Sequence, residues 1–416
     1  MTVIDIRPVR DDELVPWLDT MSTGFLDRPD TARIADEVRP HWDLGRCWAA
    51  WADGRIVGTL RTWAGELTVP GPVQVKAGAV TAVSVLPTHR RRGILSRLVA
   101  AEHAAARERG EMVSMLYASE YPIYGRFGYG PATLAATWTL DTRATAVLPT
   151  ATIGTFELIG PDEAGEETAR TVFEAARVRQ PGAIWRRPIT WLGDFGRAGT
   201  AWGPVWKGFI LIHRDSAGVV DGYARYHVEE KWEQRQPRNT LALDDLHALT
   251  DDAQTGLWRF LAGVDWISSI KAERRHPAER LPWLLTNARA AVVSDIGDGL
   301  WVKLLDIPGA LAARSYDGEG SLVLEVVIRD GAEADASSRR VRIALEVTPD
   351  GARAVETDRS PDLTLDGGAL GAAYLGGTRL RNAVVARGAD EHRPGALDEA
   401  DAIFATRDAP WCSTFF

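Results

Sequence analysis

The sequence predicts an α+β protein of three modules, on three observations. Residues 79–99, AVTAVSVLPTHRRRGILSRLV, run from an apolar β-branched segment through a basic turn into an amphipathic helix. The middle third repeats that order of elements without repeating the residues. The last third alternates strands and helices and stays apolar to Phe416.

The elements follow in order. Ile4 to Pro8 reads as a short strand, and Asp11 to Met21 as a helix with acidic residues in its first turn. Arg46 to Arg61 carries a hairpin turning at Ala52-Asp53-Gly54. Val80, Val83 and Val85 form a strand that stops at Pro87, before Arg90, Arg91, Arg92 and Gly93. The helix Leu95 to Arg109 stops at Gly110, a residue free to turn left-handed. Strands follow at Met112 to Ala118 and Ala135 to Asp141, around a glycine- and aromatic-rich loop at Ile123 to Gly130.

A softer stretch, Val147 to Gly154, marks a boundary. A helix then covers Glu166 to Gln180, a hairpin turns at Asp215 to Gly218, a strand reads TLALDDLHAL, and a helix runs from Gln254 to Gly263. The last third holds the strands LWVKLLD, SLVLEVVIRD, VRIALEVTP and RAVETD, with helices near Gly368 to Leu375 and Leu397 to Thr406. The expected domains are 1–148, 149–298 and 299–416, consistent with a chain of 416 residues.

Bulk properties exclude several function classes. A hydrophobic content of 45% with 25% charged residues is that of a soluble globular chain. A net charge of −9 argues against nucleic acid as main partner and suits a small polycationic substrate. The two cysteines, Cys47 and Cys412, give neither a disulfide framework nor zinc spacing, so no metal and a cytoplasmic location are expected. The first residues lack the apolar core of a signal peptide, and no transmembrane segment is expected.

The basic turn has direct chemical meaning. Backbone N–H groups that open a helix lack intrahelical partners, and the helix dipole adds positive potential there. Arg90, Arg91 and Gly93, with the backbone through Leu95, therefore read as a cradle for phosphate or pyrophosphate. The matching place in the middle third is Thr250-Asp251-Asp252. Two aspartates there repel an anion by about 1 kcal/mol or more per close charge pair. The second module is thus expected to be a copy without a cofactor site.

Residues Val83 to Leu98 resemble the acetyl-CoA motif of GCN5-related N-acetyltransferases (GNATs), Arg/Gln-x-x-Gly-x-Gly/Ala. Arg90 to Ile94 match, and Leu95 departs from the small residue at the last place. With the loop Ser119 to Gly130, the three-part layout and the terminus Phe415-Phe416, the chain resembles one branch: the enhanced intracellular survival (Eis) family of aminoglycoside acetyltransferases. The resemblance implies tandem GNAT folds, of which only the first binds acetyl-CoA, followed by a sterol-carrier-protein-like domain. It also implies a homo-hexamer and acetylation of several amines on one antibiotic, a resistance activity, by direct attack in a ternary complex.

Residue by residue, the resemblance places Val83 and Val85 beside the pantetheine arm and adds Ser119 to the cofactor-binding set. It assigns protonation of the leaving thiolate to Tyr124, with Tyr129 and Tyr121 as rivals, and proton removal to the carboxylate of Phe416, with His89 as a chemical rival. Amine recognition is expected from the first helices. Trp17 and Trp42 supply flat walls beside Trp48 and Phe25, and Asp27 supplies charge beside Asp30, Glu37 and Asp43. Each of these also reads as core or solvated surface. Two other functions use the same features: a protein-lysine or peptide acetyltransferase, and a non-enzymatic lipid-binding scaffold.

Overall fold

The computed structural model describes residues 4–71, 73–148, 154–198, 204–329, 339–385 and 388–416. The expected linker at Val147 to Gly154 lies largely outside them. The chain divides into two compact units. One contains Met1–Thr133, Gly299–Pro410 and Phe415–Phe416; the other contains Leu134–Asp298 and Trp411–Thr414.

The first unit opens with a seven-stranded sheet. Its order is Ile4–Pro8, Cys47–Ala52, Arg55–Val69, Val73–Val85, Val113–Tyr117, Leu300–Leu304, Gly130–Pro131. One pair is parallel, Val73–Val85 with Val113–Tyr117, and its register runs only from Ala77↔Val113 to Ala79↔Met115. A parallel pair needs a crossover. Helix Ile94–Glu108 supplies it, burying Ile94, Leu98 and Val99 at helical spacing against Val57, Leu60, Val80 and Leu116. Gly110 (φ +71°) ends the turn after that helix.

The same unit holds a five-stranded sheet, ordered Gly351–Glu356, Arg339–Thr348, Gly320–Ile328, Leu363–Asp366, Ala389–Glu391. Alternation along Arg339–Thr348 buries Ile343, Leu345 and Val347, and Gly320–Ile328 buries a continuous run from Leu322 to Val326. Helix Gly367–Ala373 packs closely on the first sheet. A Cβ on Gly130 would sit 1.9 Å from the Gly368 carbonyl oxygen, and one on Gly371 2.2 Å from that of Val302. Only glycine allows backbones this close. Arg314 is buried among the helices and donates to the carbonyls of Tyr374 (2.6 Å) and Phe404 (3.2 Å).

The second unit is another seven-stranded sheet, ordered Ala291–Asp298, Leu134–Asp141, Ile267–Arg275, Asn239–Ala248, Val220–Glu229, Phe209–Arg214, Thr155–Ile159. Its parallel pair, Asn239–Ala248 with Ile267–Arg275, runs from Asn239↔Ile267 to Leu243↔Ala272. Helix Asp251–Ala262 makes the crossover. The two sheets share one topology, as the repeated order of elements predicts.

Two strands lie in sheets that the sequence boundaries do not give them. Leu134–Asp141, within the expected first domain, pairs with Ile267–Arg275 of the second sheet (Ile270↔Leu140). Leu300–Leu304, within the expected third domain, pairs with Val113–Tyr117 of the first (Trp301↔Leu116). Alternation identifies a strand and its buried face but not its partner. The partner is decided by packing: Trp138 and Leu140 bury with Trp258 and Ile270, and Trp301 with Leu116 and Tyr129.

Candidate active site

The parallel ladder of the first sheet stops at Ala79–Met115, so the ends of Val73–Val85 and Val113–Tyr117 are no longer paired with each other. Opposite this point the register with Arg55–Val69 shifts between Thr59 and Arg61. Ala82 there has φ +52°, an uncommon value for a residue with a Cβ. A cleft of about 850 Å³ opens at the splay, large enough for an extended ligand.

One wall is the basic turn. Gly93 precedes helix Ile94–Glu108 with φ +72°, and no side chain caps the helix start. A Cβ at Gly93 would meet nothing within 4 Å. Arg91 has φ +62°, and Arg90 Nε donates to the Val85 carbonyl at 3.2 Å. Arg90, Arg91, Gly93 and Leu95 all line the cleft, as do Val83, Val85 and Ser119. These features fit a pyrophosphate: open space, uncapped backbone donors and two guanidinium groups.

The loop after Val113–Tyr117 forms the opposite wall. The sequence reads as irregular here, but Pro122 at the first turn lets Tyr121–Tyr124 form one helical turn, followed by a 3₁₀ turn at Gly125–Phe127. This turn directs Tyr124 to the cleft. Burial, then the Glu120 carboxylate, push the Tyr124 phenol up to about 12. Of the three tyrosines considered, only Tyr124 lines the cleft. Tyr129 is buried, its hydroxyl 2.8 Å from His103 Nε2 and 2.6 Å from Ser114 Oγ. Tyr121 is exposed and packs on Trp301.

Phe415 and Phe416 complete the cleft. The Phe416 ring makes edge contacts with Trp63 (5.2 Å) and Tyr117 (5.4 Å), and Phe415 lies 4.9 Å from Tyr117. His89 also lines the cleft, its Nδ1 2.9 Å from Thr88 Oγ1.

The three expected amine-binding residues are placed elsewhere. Trp17 is fully buried, and its indole N–H donates to the Trp48 carbonyl at 2.8 Å; its helical spacing is that of a core residue. Trp42 packs edge-on against Trp17 and carries the Arg61 guanidinium 3.8 Å from its ring, so its flat face is already used. Asp27 is exposed and accepts from the Arg28 backbone N–H. None of the three lines the cleft, nor do Asp30, Glu37 or Asp43. The acidic side chain that does is Glu120, with Phe25, Ser84 and Tyr117 nearby in the lining. Glu120 was legible only as a neighbour of the Tyr124 motif.

The matching helix start of the second unit is closed. Thr250 accepts from the Ala253 backbone N–H at 3.0 Å, and Asp251 and Asp252 occupy the first turn. One of the donors that would meet an anion, the Ala253 N–H, is capped by the chain itself.

A crossover helix with an open, arginine-flanked start beside splayed strands defines the class, an acetyltransferase of GNAT architecture. Residues 5–132 and 178–302 each match the acetyltransferase (GNAT) domain family, and 307–413 match the sterol carrier protein domain. The chain is 40% identical to an uncharacterized N-acetyltransferase of Streptomyces griseus, over 99% of this chain and 100% of that one. It is 36% identical to N-acetyltransferase Eis of Mycobacterium tuberculosis, over 84% of this chain and 83% of that one. The crystal structure of Eis1 from Mycobacterium abscessus matches with a TM-score of 0.84 at 33% identity, covering 100% of both chains. The chain belongs to the Eis family of N-acetyltransferases.

Among the described residues, no group of three or more His, Cys, Asp or Glu side chains is placed to hold a metal. No helix among them is long and apolar enough to cross a membrane.

Proposed function

We propose that the protein transfers acetyl from acetyl-CoA to amines of aminoglycosides or similar polyamines, at several positions, by direct attack in a ternary complex. The observation that carries this reading is a single cleft holding the open helix start, Tyr124 and Phe416 together. Acetyl-CoA, when bound, supplies an activated thioester carbonyl.

The chain's own residues do the rest. Arg90, Arg91 and the backbone from Gly93 through Leu95 hold the pyrophosphate. Val83 and Val85 offer backbone groups to the pantetheine arm at the end of the parallel ladder, as an edge strand does, and Ser119 borders the opposite wall. Tyr124 stays protonated at neutral pH, so its hydroxyl donates to the leaving thiolate. The Phe416 carboxylate accepts the proton of the incoming ammonium, directly or through a water. Glu120 adds negative charge, and Phe25 and Tyr117 present flat surfaces to a cationic acceptor.

The cleft volume of about 850 Å³ supports a bulky acceptor that can be turned to present more than one amine. A protein-lysine acceptor uses the same groups, and a substrate panel separates the two. The protein is proposed to act in the cytoplasm as a homo-hexamer. The test is thiol release from acetyl-CoA with kanamycin, against release with lysine peptides. Release with peptides alone transfers the proposal to protein acceptors.

A further inference from the structure

The second unit keeps the splay of the first. Its parallel ladder ends at Leu243–Ala272, and a crevice of about 330 Å³ lies where the strand ends meet the start of helix Asp251–Ala262. This is the topological counterpart of the cleft that holds Arg90 and Tyr124. Segment Trp411–Thr414 is built into it. The Trp411 indole N–H donates to the Arg274 carbonyl at 2.8 Å, and its ring stacks on His247 at 5.8 Å. The Arg275 guanidinium lies 4.8 Å from the same ring.

Behind this stack is a buried polar cluster. Arg186 donates through Nε to Thr414 Oγ1 (2.9 Å), through Nη2 to Ser413 Oγ (3.3 Å), and through Nη1 to Asp245 Oδ2 (2.5 Å). Asp245 also accepts from the Tyr223 hydroxyl at 2.6 Å and pairs with His247 Nε2 at 3.0 Å. Burial alone would raise the Asp245 carboxyl, but Arg186 and His247 hold it well below the usual range, so the pair stays charged. Ser413 Oγ lies 3.1 Å from that same Nε2. A relay needs serine and aspartate on opposite imidazole nitrogens, so this is not a nucleophile triad.

Chain ends fray unless tied down, because ordering each residue costs backbone entropy. Phe415 is 61% exposed, so its own packing is a weak tie. We propose that the second module's crevice, having lost its cofactor site, serves as the socket of the tail. Arg186 is then a positioning residue: by fixing Ser413 and Thr414 it sets where Phe415 and Phe416 lie. This rests on the reading of Phe416 as the base.

The test uses the full chain carrying Ser413→Ala and Thr414→Val, which remove the hydroxyls and leave Arg186 paired with Asp245. Arg186→Met is avoided because it strands a buried carboxylate. Carboxypeptidase release of the terminal phenylalanines, which needs no acceptor, is expected to speed up about tenfold. The kcat with kanamycin is expected to fall about tenfold at unchanged acetyl-CoA affinity. Thr414→Ser keeps wild-type turnover. In a chain lacking Phe416, the same substitutions add no further loss.

An unchanged carboxypeptidase rate overturns the anchor. So does an unchanged kcat in a protein that loss of Phe416 does inactivate, which leaves the base standing. A further loss without Phe416 assigns the hydroxyls to general stability and overturns the anchor. Full turnover without Phe416 overturns both the base and the anchor.

Discussion

Tyr124 separates from its neighbours by what its hydroxyl can reach. Tyr129 shares its hydroxyl with His103 and Ser114, whereas Tyr124 borders the cleft. Tyr124→Phe is expected to lower kcat by roughly 10²–10⁴ with little change in acetyl-CoA affinity, as loss of a general acid does; single-turnover kinetics check it. The folded pKa of about 12 lies above the unfolded value near 10. The stability gained from keeping this phenol neutral is therefore full below pH 10 and lost as pH rises towards 12. Wild type is therefore expected to lose thermal stability relative to Tyr124→Phe across that window, because the cause is the penalty on a buried phenolate that phenylalanine cannot form. At Gly93 a methyl would meet nothing within 4 Å, so the cost of Gly93→Ala is conformational. A stability loss of about 1–2 kcal/mol and a raised KM for acetyl-CoA are expected from φ +72°.

At the scale of elements, one helix start is open and its counterpart is capped by its own threonine. Thr250→Ala is expected to cost about 1 kcal/mol in denaturant unfolding and to leave acetyl-CoA affinity unchanged. This contrast was legible in the sequence, because three arginines and a glycine stand where the copy has a threonine and two aspartates. Most strands were legible too, since Arg339–Thr348 alternates and Leu322 to Ile328 is an apolar run broken only by Glu325. Strand partners were not. Leu134–Asp141 and Leu300–Leu304 carry no local mark of the sheet they join. The walls expected for an amine were legible only in part: Phe25 lines the cleft, but an indole at helical spacing is core or wall according to packing, and packing made Trp17 core. Glu120 and Tyr117 reach the cleft only because the strand ends diverge, which no single segment encodes.

For the whole molecule, two copies of one topology differ at the helix start, uncapped in the first and capped by Thr250 in the second. Isothermal titration is expected to find one acetyl-CoA per chain, and Arg90→Ala is expected to weaken that site and reduce its dependence on salt. Two sites per chain would contradict the reading of the second crevice. The central claim is that acetyl transfer occurs in the first cleft, with Tyr124 as acid and the Phe416 carboxylate as base. The most direct measurement is thiol release from acetyl-CoA with kanamycin by wild type, by Tyr124→Phe and by a chain lacking Phe416. The account predicts rapid release by wild type and near-complete loss in both variants, each still folded and still binding acetyl-CoA. Undiminished release by either variant would contradict the role given to the residue it lacks.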